Sequence, residues 1–266
     1  MILPAKTRIL QKATVFNQAT IKSNLDKMKL DSSFLGKLPT KRDNLFFRNY
    51  TDYLISLVDN EIEDFKPISM QKAFSSKYLL ELFKNDYESL PKQKRAKKIV
   101  VFDTETTDIA GYIVSYALVE YDMSTREITK ETYELVNPQA KIEAEAMAVH
   151  KISQEQVANK PTFLEIQDSF LQTLMNADLV VGHNVLYDFG VLKRELERAK
   201  YHTNDLKLPI FDTMYFSVDV VELTKKKMPR LEEAVAYFFG HQNATYHNAL
   251  EDVKMTLKVF EKLVFG

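Results

Sequence analysis

The chain has 266 residues, 45% hydrophobic and 27% charged, with a formal net charge of −1. These are the proportions of a soluble globular chain with room for one large domain, or one domain and an appendage. It contains no cysteine, which excludes disulfides, thiolate metal sites and a cysteine nucleophile, and leaves any metal to carboxylates and histidines. No apolar run approaches the ~20 residues of a membrane span, and the N-terminus lacks the apolar stretch of a signal peptide, so a cytoplasmic protein with no membrane partner is expected.

The small total charge hides a division. Residues 1–98 hold 19 Lys and Arg against 11 Asp and Glu, whereas residues 99–266 hold 17 against 26. Such asymmetry fits either nucleic-acid contact by the basic part and metal binding by the acidic part, or merely solvated surface. Residues 1–43 suggest a weak helix and loops without a chemical motif. Over 44–65, Phe47, Tyr50, Leu54 and Leu57 recur at helical intervals, and over 69–90 Phe74, Tyr78, Leu79 and Leu82 do the same, which predicts two packed helices. The stretch LPKQKRAKK, residues 90–98, is basic and opens with proline, and reads as a linker. The expected domains are therefore a helical, basic region over 1–98, of unknown role, and a second domain over 99–266.

In the second domain, β-rich segments at 99–103, 112–121, 127–136 and 178–184 alternate with segments of helical spacing at 162–175, 188–200, 212–221, 230–239 and 248–263. This predicts an α/β fold class, a mixed central sheet flanked by helices. The first of these strands, within IVVFDTETTD, drives an apolar run into Asp103 and Glu105. Residues i and i+2 share a face of a strand, so the two acids project together, and a divalent cation or a capping or salt-bridge role would relieve their repulsion. In VVGHNVLYDFGVLKREL a buried strand runs through His183 and Asn184 into a helix opened by Asp188, a residue that also suits the helix dipole. In TYHNALEDVKMTLKVFEKL, His247 and Asp252 stand near the start of the last helix. Five residues turn an ideal helix by roughly 140° net, so these two do not share a stripe; His247 turns toward a neighbouring water while Asp252 faces any metal.

The order D-x-E, H-N-x-x-x-D, H-x-A-x-x-D, with AMAVHKISQEQVANKPTF between the first two, resembles the DEDDh 3′–5′ exonucleases of the ribonuclease-H-like superfamily, most closely the proofreading epsilon-subunit type of bacterial DNA polymerase. The resemblance covers residues 99 to about 264. It implies a ribonuclease-H-like exonuclease fold and two divalent cations, Mg²⁺ or Mn²⁺, held by Asp103, Glu105, Asp188 and Asp252, with His247 as general base. It implies Thr104 and Thr106 at the terminal nucleotide, His150 lining its pocket, and Asn184 either holding a sugar or capping a turn. The expected substrates are DNA 3′ ends, with RNA possible, and the expected partner is a polymerase or other replication or repair protein. RNA trimmers similar to ribonuclease T or oligoribonuclease share the same acids and histidine. A non-catalytic nucleic-acid or polymerase-binding module is the remaining alternative, against which all five chemical positions stand intact. Of the other histidines, His183 reads as structural and His202 and His241 as surface residues. Phe102 alternates inward, into the core. Two positions depart from the family's usual glycines, Asp108 and Lys151, the latter reading as a solvated lysine.

Overall fold

The structure is a computed structural model that describes residues 97–201, 210–218, 220–223, 227–240 and 248–266, together with Leu80 and Lys84. These lie almost entirely in the unit Lys97–Gly266. Leu80 and Lys84 are helical; the rest of the helices expected over 44–65 and 69–90, and the weak helix before them, lie outside the described residues.

The elements run β1 (Lys98–Thr106), β2 (Ile113–Asp122), β3 (Glu127–Leu135), α1 (Ala144–His150), α2 (Gln154–Val157), α3 (Phe163–Met175), β4 (Leu179–Gly182), α4 (Val185–Arg198), β5 (Ile210–Asp212), α5 (Thr213–Ser217), α6 (Leu231–Phe239) and α7 (Ala249–Phe265). The strands form one sheet in the order β3-β2-β1-β4-β5. β1, β2 and β3 pair antiparallel, while β4 and β5 join β1 in parallel, so the sheet is mixed, as predicted.

Alternation along β1 sorts its two faces. Val100 and Phe102 enter a core with Phe163, Phe170 and Leu171 of α3 and Val191, Leu192 and Leu196 of α4. Phe102 meets Phe170 and Phe189 edge-on, at 6.0 and 5.6 Å between centroids. Ile99 and Val101, fully buried, turn to the other face, where α7 lies against β1 and β2 and Phe260 packs edge-on against Phe211 of β5 at 5.0 Å. Fully burying side chains of this size stabilises by about 1.5–3 kcal/mol each. Asp103 and Glu105 continue the α7 face, and Thr104 the α4 face.

Several boundaries differ from the sequence reading, each for a local reason. β1 continues past Asp103 to Thr106, because β2 supplies partners through Thr106↔Ile113, with an irregularity after Glu105; both acids therefore sit within a strand. The strand expected over 178–184 stops at Gly182, since Asn184 takes a left-handed backbone with φ 68°. α4 begins three residues before Asp188, which is its fourth residue. The helix expected over 212–221 is a short strand followed by α5, because Asp212 caps the helix by accepting the N–H of Met214 and Tyr215. α1 and α2 are additional.

The two replaced glycines resolve differently. Asp108 has an ordinary φ, and its carboxylate accepts the Ala110 N–H at 2.6 Å to close the β1–β2 turn. Lys151 is left-handed, with φ 62°, at the C-cap of α1, and its Nζ donates to the Ala148 carbonyl. A left-handed non-glycine costs on the order of 1–2 kcal/mol, against about 0.4–1 kcal/mol for the extra unfolded-chain freedom of glycine. Lys151→Gly is therefore expected to raise stability by ~0.5 kcal/mol, read as a higher urea midpoint at unchanged slope; a lower midpoint would show that the lysine contact outweighs the backbone.

Candidate active site

Three elements deliver the acids. Asp103 and Glu105 leave β1 on one face, and the first turn of α7 brings Asp252 to them. One carboxylate oxygen from each of the three lies within 4.8 Å of the others. The start of α7 is fixed by Asn248, whose side-chain carbonyl accepts the N–H of Leu250 at 3.1 Å and of Glu251 at 3.3 Å. Its main-chain carbonyl accepts the N–H of Asp252 at 2.9 Å.

Asp188 stands beside this trio. It is buried, and its Oδ1 accepts both the Thr104 N–H at 3.0 Å and the Thr104 hydroxyl at 2.7 Å. β1 thus presents two carboxylates on one face while its own Thr104 holds another acid.

Burial sets the electrostatics, with like charge adding to it. It pushes Asp103 well above the usual carboxylate range, and Asp188, Glu105 and Asp252 push further. Glu105 rises to about 8, by burial first and then by Asp252 and Asp188. Asp188 rises to about 7, because burial outweighs the opposing hydrogen bonds from Thr104 and from its own backbone, with Asp212 adding repulsion. Without a cation, Glu105 and Asp188 hold their protons in part near neutral pH. An all-oxygen donor set of this charge suits a hard divalent ion, which would replace the protons.

A cavity of about 680 Å³ adjoins Glu105 and is lined by Thr104, Thr106, Asp108, His150 and Tyr187 among others. The Thr106 hydroxyl contacts the Asp108 carbonyl and the Tyr187 hydroxyl, both at 2.8 Å. His150 is buried and its Nδ1 accepts the Ile152 N–H at 3.0 Å, so the neutral ring carries its proton on Nε2, which is buried and has no hydrogen-bond partner among the described residues. Burial lowers its pKa, against a smaller opposing pull from the Thr106 backbone. Asn184 is not among the lining residues; it is the N-cap residue of α4 and donates its N–H to Asp212 at 2.9 Å. His183 Nε2 lies 3.0 Å from the Pro229 carbonyl and Nδ1 2.9 Å from the Thr213 hydroxyl, and burial lowers its pKa to about 4. His247, His202 and His241 lie outside the described residues. The sequence reading missed Tyr187 and Asp212. An aromatic one residue before an acid reads as core, and an Asp before Thr reads as an ordinary cap.

Residues 100–260 match the family model described as exonuclease. The chain belongs to the exonuclease family. It is a 3′–5′ exonuclease, a hydrolase of phosphodiester bonds, and its five-stranded mixed sheet is the ribonuclease-H-like exonuclease fold. Among curated relatives, this exonuclease is 26% identical over 179 residues to DNA polymerase III subunit epsilon of Escherichia coli, covering 63% of this chain and 71% of the relative. It is 27% identical to the same subunit of Buchnera aphidicola, covering 64% and 74%. Among solved structures it resembles the nuclease domain of 3′hExo, a DEDDh family member bound to rAMP, with a TM-score of 0.54 at 14% identity over 64% of this chain and 92% of that one. It resembles E. coli exonuclease I in complex with a dA16 oligonucleotide, with a TM-score of 0.54 at 16% identity over 63% and 40%. These structural likenesses show the shared fold. Among the described residues of this exonuclease, no helix is long and apolar enough to cross a membrane.

The raised acids predict an unusual pH response of the metal-free protein. Between pH 6.5 and 8 the unfolded chain has released the carboxyl protons, while folded Glu105 (about 8) and Asp188 (about 7) still hold theirs in part. The folded state then binds more protons, so stability falls as pH rises through this window, by on the order of 2 kcal/mol. His183, with a pKa of about 4 in the folded state, opposes this only weakly, at the acid end of the window where the unfolded imidazole still holds part of its proton. Thermal unfolding in chelator should show this decline and Mg²⁺ should flatten it; a metal-free midpoint that is level or rises with pH would show that the acids are already ionised.

Proposed function

We propose that the protein removes nucleoside 5′-monophosphates from the 3′ end of DNA, using two divalent cations, Mg²⁺ or Mn²⁺, held by Asp103, Glu105, Asp188 and Asp252, with His247 as general base. The observation that carries this reading is the convergence of Asp103, Glu105 and Asp252, whose oxygens lie within 4.8 Å, with buried Asp188 alongside. When bound, the cations would lower the pKa of a water and stabilise charge on the scissile phosphate. The chain's own residues do the rest. The four carboxylates fix the position of the charge, and the Thr104 hydrogen bonds orient Asp188. Neutral His247 accepts the proton of the attacking water, so activity falls toward acid pH. Thr104, Thr106 and His150 flank the terminal nucleotide in the cavity beside Glu105, whereas Asn184, outside that lining, serves the β4–α4 turn at the start of α4 rather than the sugar.

DNA is favoured over RNA because the curated relatives are subunits of a DNA polymerase. The same likeness supports a polymerase or another replication or repair protein as partner. RNA is the second reading, supported by a structural neighbour at TM-score 0.56, a 3′-exonuclease solved in specific recognition of the 3′ end of a histone mRNA stem-loop. Residues 1–98 form a separate region in this reading, and their excess of 19 Lys and Arg over 11 acids suits the phosphate backbone of a longer substrate.

Single-turnover cleavage and Mn²⁺ titration on the same samples test the roles. Asp103→Ala should lose cleavage and weaken metal binding. His247→Ala should bind Mn²⁺ normally yet lose on the order of 10²–10⁴ in rate. Near-normal cleavage by His247→Ala would remove it from the mechanism, and lost metal binding would make it a ligand. Matched 3′-labelled DNA and RNA decide the sugar, with faster release from DNA expected.

A further inference from the structure

The turn that delivers Asp188 is held from outside by the corner between β5 and α5. Asp212, the last residue of β5, pairs with Gly182 in parallel register. Its Oδ1 accepts the N–H of Asn184 at 2.9 Å, besides those of Met214 at 3.0 Å and Tyr215 at 3.5 Å. The next residue, buried Thr213, places its hydroxyl 3.1 Å from the Gly182 carbonyl and 2.9 Å from His183 Nδ1. With Nε2 donating to the Pro229 carbonyl, the neutral ring leaves Nδ1 as an acceptor, so the single Thr213 hydroxyl proton is shared between Nδ1 and the Gly182 carbonyl, and Gly182 is held chiefly by its sheet pairing with Asp212. All three residues of the turn, Gly182, His183 and Asn184, are therefore tied to one two-residue corner.

The turn has little slack. A Cβ on Gly182 would stand 2.7 Å from Val185 Cβ and Cγ2, so α4 starts in tight contact with the end of β4. Asn184 is left-handed, a conformation asparagine tolerates better than most side-chain-bearing residues but still at some cost, so the Asp212 bond to its N–H helps to hold it. Asp188 follows four residues later on a rigid helix, at 1.5 Å of rise per residue, so a shift of the turn is passed to the carboxylate. Asp212 itself lies close enough to Asp188 to repel it.

We propose that Asp212 is a positioning residue for cleavage: by holding the Asn184 N–H it fixes the β4–α4 turn and hence the place of Asp188, an inference that rests on Asp188 being a metal ligand. The alternative, a plain N-cap of α5, predicts lost stability and nothing more. Asp212→Ser separates the two, because serine still caps a helix but is too short to hold Asn184 as well. Partners that orient a metal ligand cost about 10–100-fold in metal affinity when removed.

The test measures, in the full-length chain, Mn²⁺ affinity, the Mn²⁺ concentration for half-maximal cleavage, and the thermal midpoint. Asp212→Ser and Asp212→Ala should each need on the order of ten times more Mn²⁺, with the midpoint of the serine variant near that of the unaltered chain. Asp212→Asn, whose amide oxygen keeps the acceptor, should recover most of the affinity. In an Asp188→Asn background, Asp212→Ser should add no further weakening. An unchanged Mn²⁺ requirement in Asp212→Ser, or an additive effect in the double variant, overturns the positioning role while leaving Asp188 a ligand. Unchanged Mn²⁺ binding in Asp188→Asn alone overturns the ligand reading, and the inference with it.

Discussion

Like charge at short range, in a half-buried site, governs this domain. Asp103, Glu105 and Asp252 bring carboxylate oxygens within 4.8 Å of one another, and Asp188 is buried beside them. Two unit charges at about 4 Å interact by roughly 4 kcal/mol at an effective dielectric of 20, and more where the surroundings are drier. Each of these acids must therefore be protonated, hydrogen-bonded or neutralised by a cation. Thr104 meets part of this demand for Asp188 through two hydrogen bonds; no comparable pair is needed for Asp103 and Glu105 if a divalent ion lies between them.

The rest of the fold supplies the means of holding charges that repel. β1 is central, with β2 on one side and β4 on the other, and apolar residues upstream of the acids anchor it on both faces. α7 packs along one face, so that its capped start puts Asp252 opposite the end of β1; α4 packs on the other and brings Asp188 to Thr104. The loops around the cavity are anchored by buried charge as well. Glu195 of α4 accepts the Ile113 N–H at 2.9 Å and pairs with Arg198 at 2.6 Å, and Arg198 donates to the Pro138 carbonyl at 2.6 Å. The β1–β2 turn is thereby fastened to the same helix that carries Asp188.

Much of this was legible in the sequence, for identifiable reasons. Long apolar or alternating runs gave β2 and β3 to within a residue, and three- and four-residue spacing gave α3, α6 and α7. The acids declared themselves by type and order along the chain. What was hidden depends on partners distant in sequence. Thr104 to Thr106 look like the start of a turn, and only β2 makes them strand. Ile210 to Asp212 are too few to show a period, and only β4 makes them strand. Val185 to Tyr187 begin a helix because Asn184 turns left-handed first. Asp212 could not be singled out, since its significance lies in the Asn184 N–H, 28 residues earlier. His247 was legible only as a member of an ordered set.

The most direct measurement of the central constraint is the number of protons released when metal binds. Mn²⁺ titrated calorimetrically at pH 7, in buffers of different ionisation enthalpy, reports that number. If burial and mutual repulsion keep Asp103 and Glu105 protonated in the metal-free protein, binding must expel protons, and Glu105→Gln must release fewer. Tight Mn²⁺ binding with no proton release at pH 7 would mean that the carboxylates were already charged, and that the repulsion they share is relieved by something other than the metal.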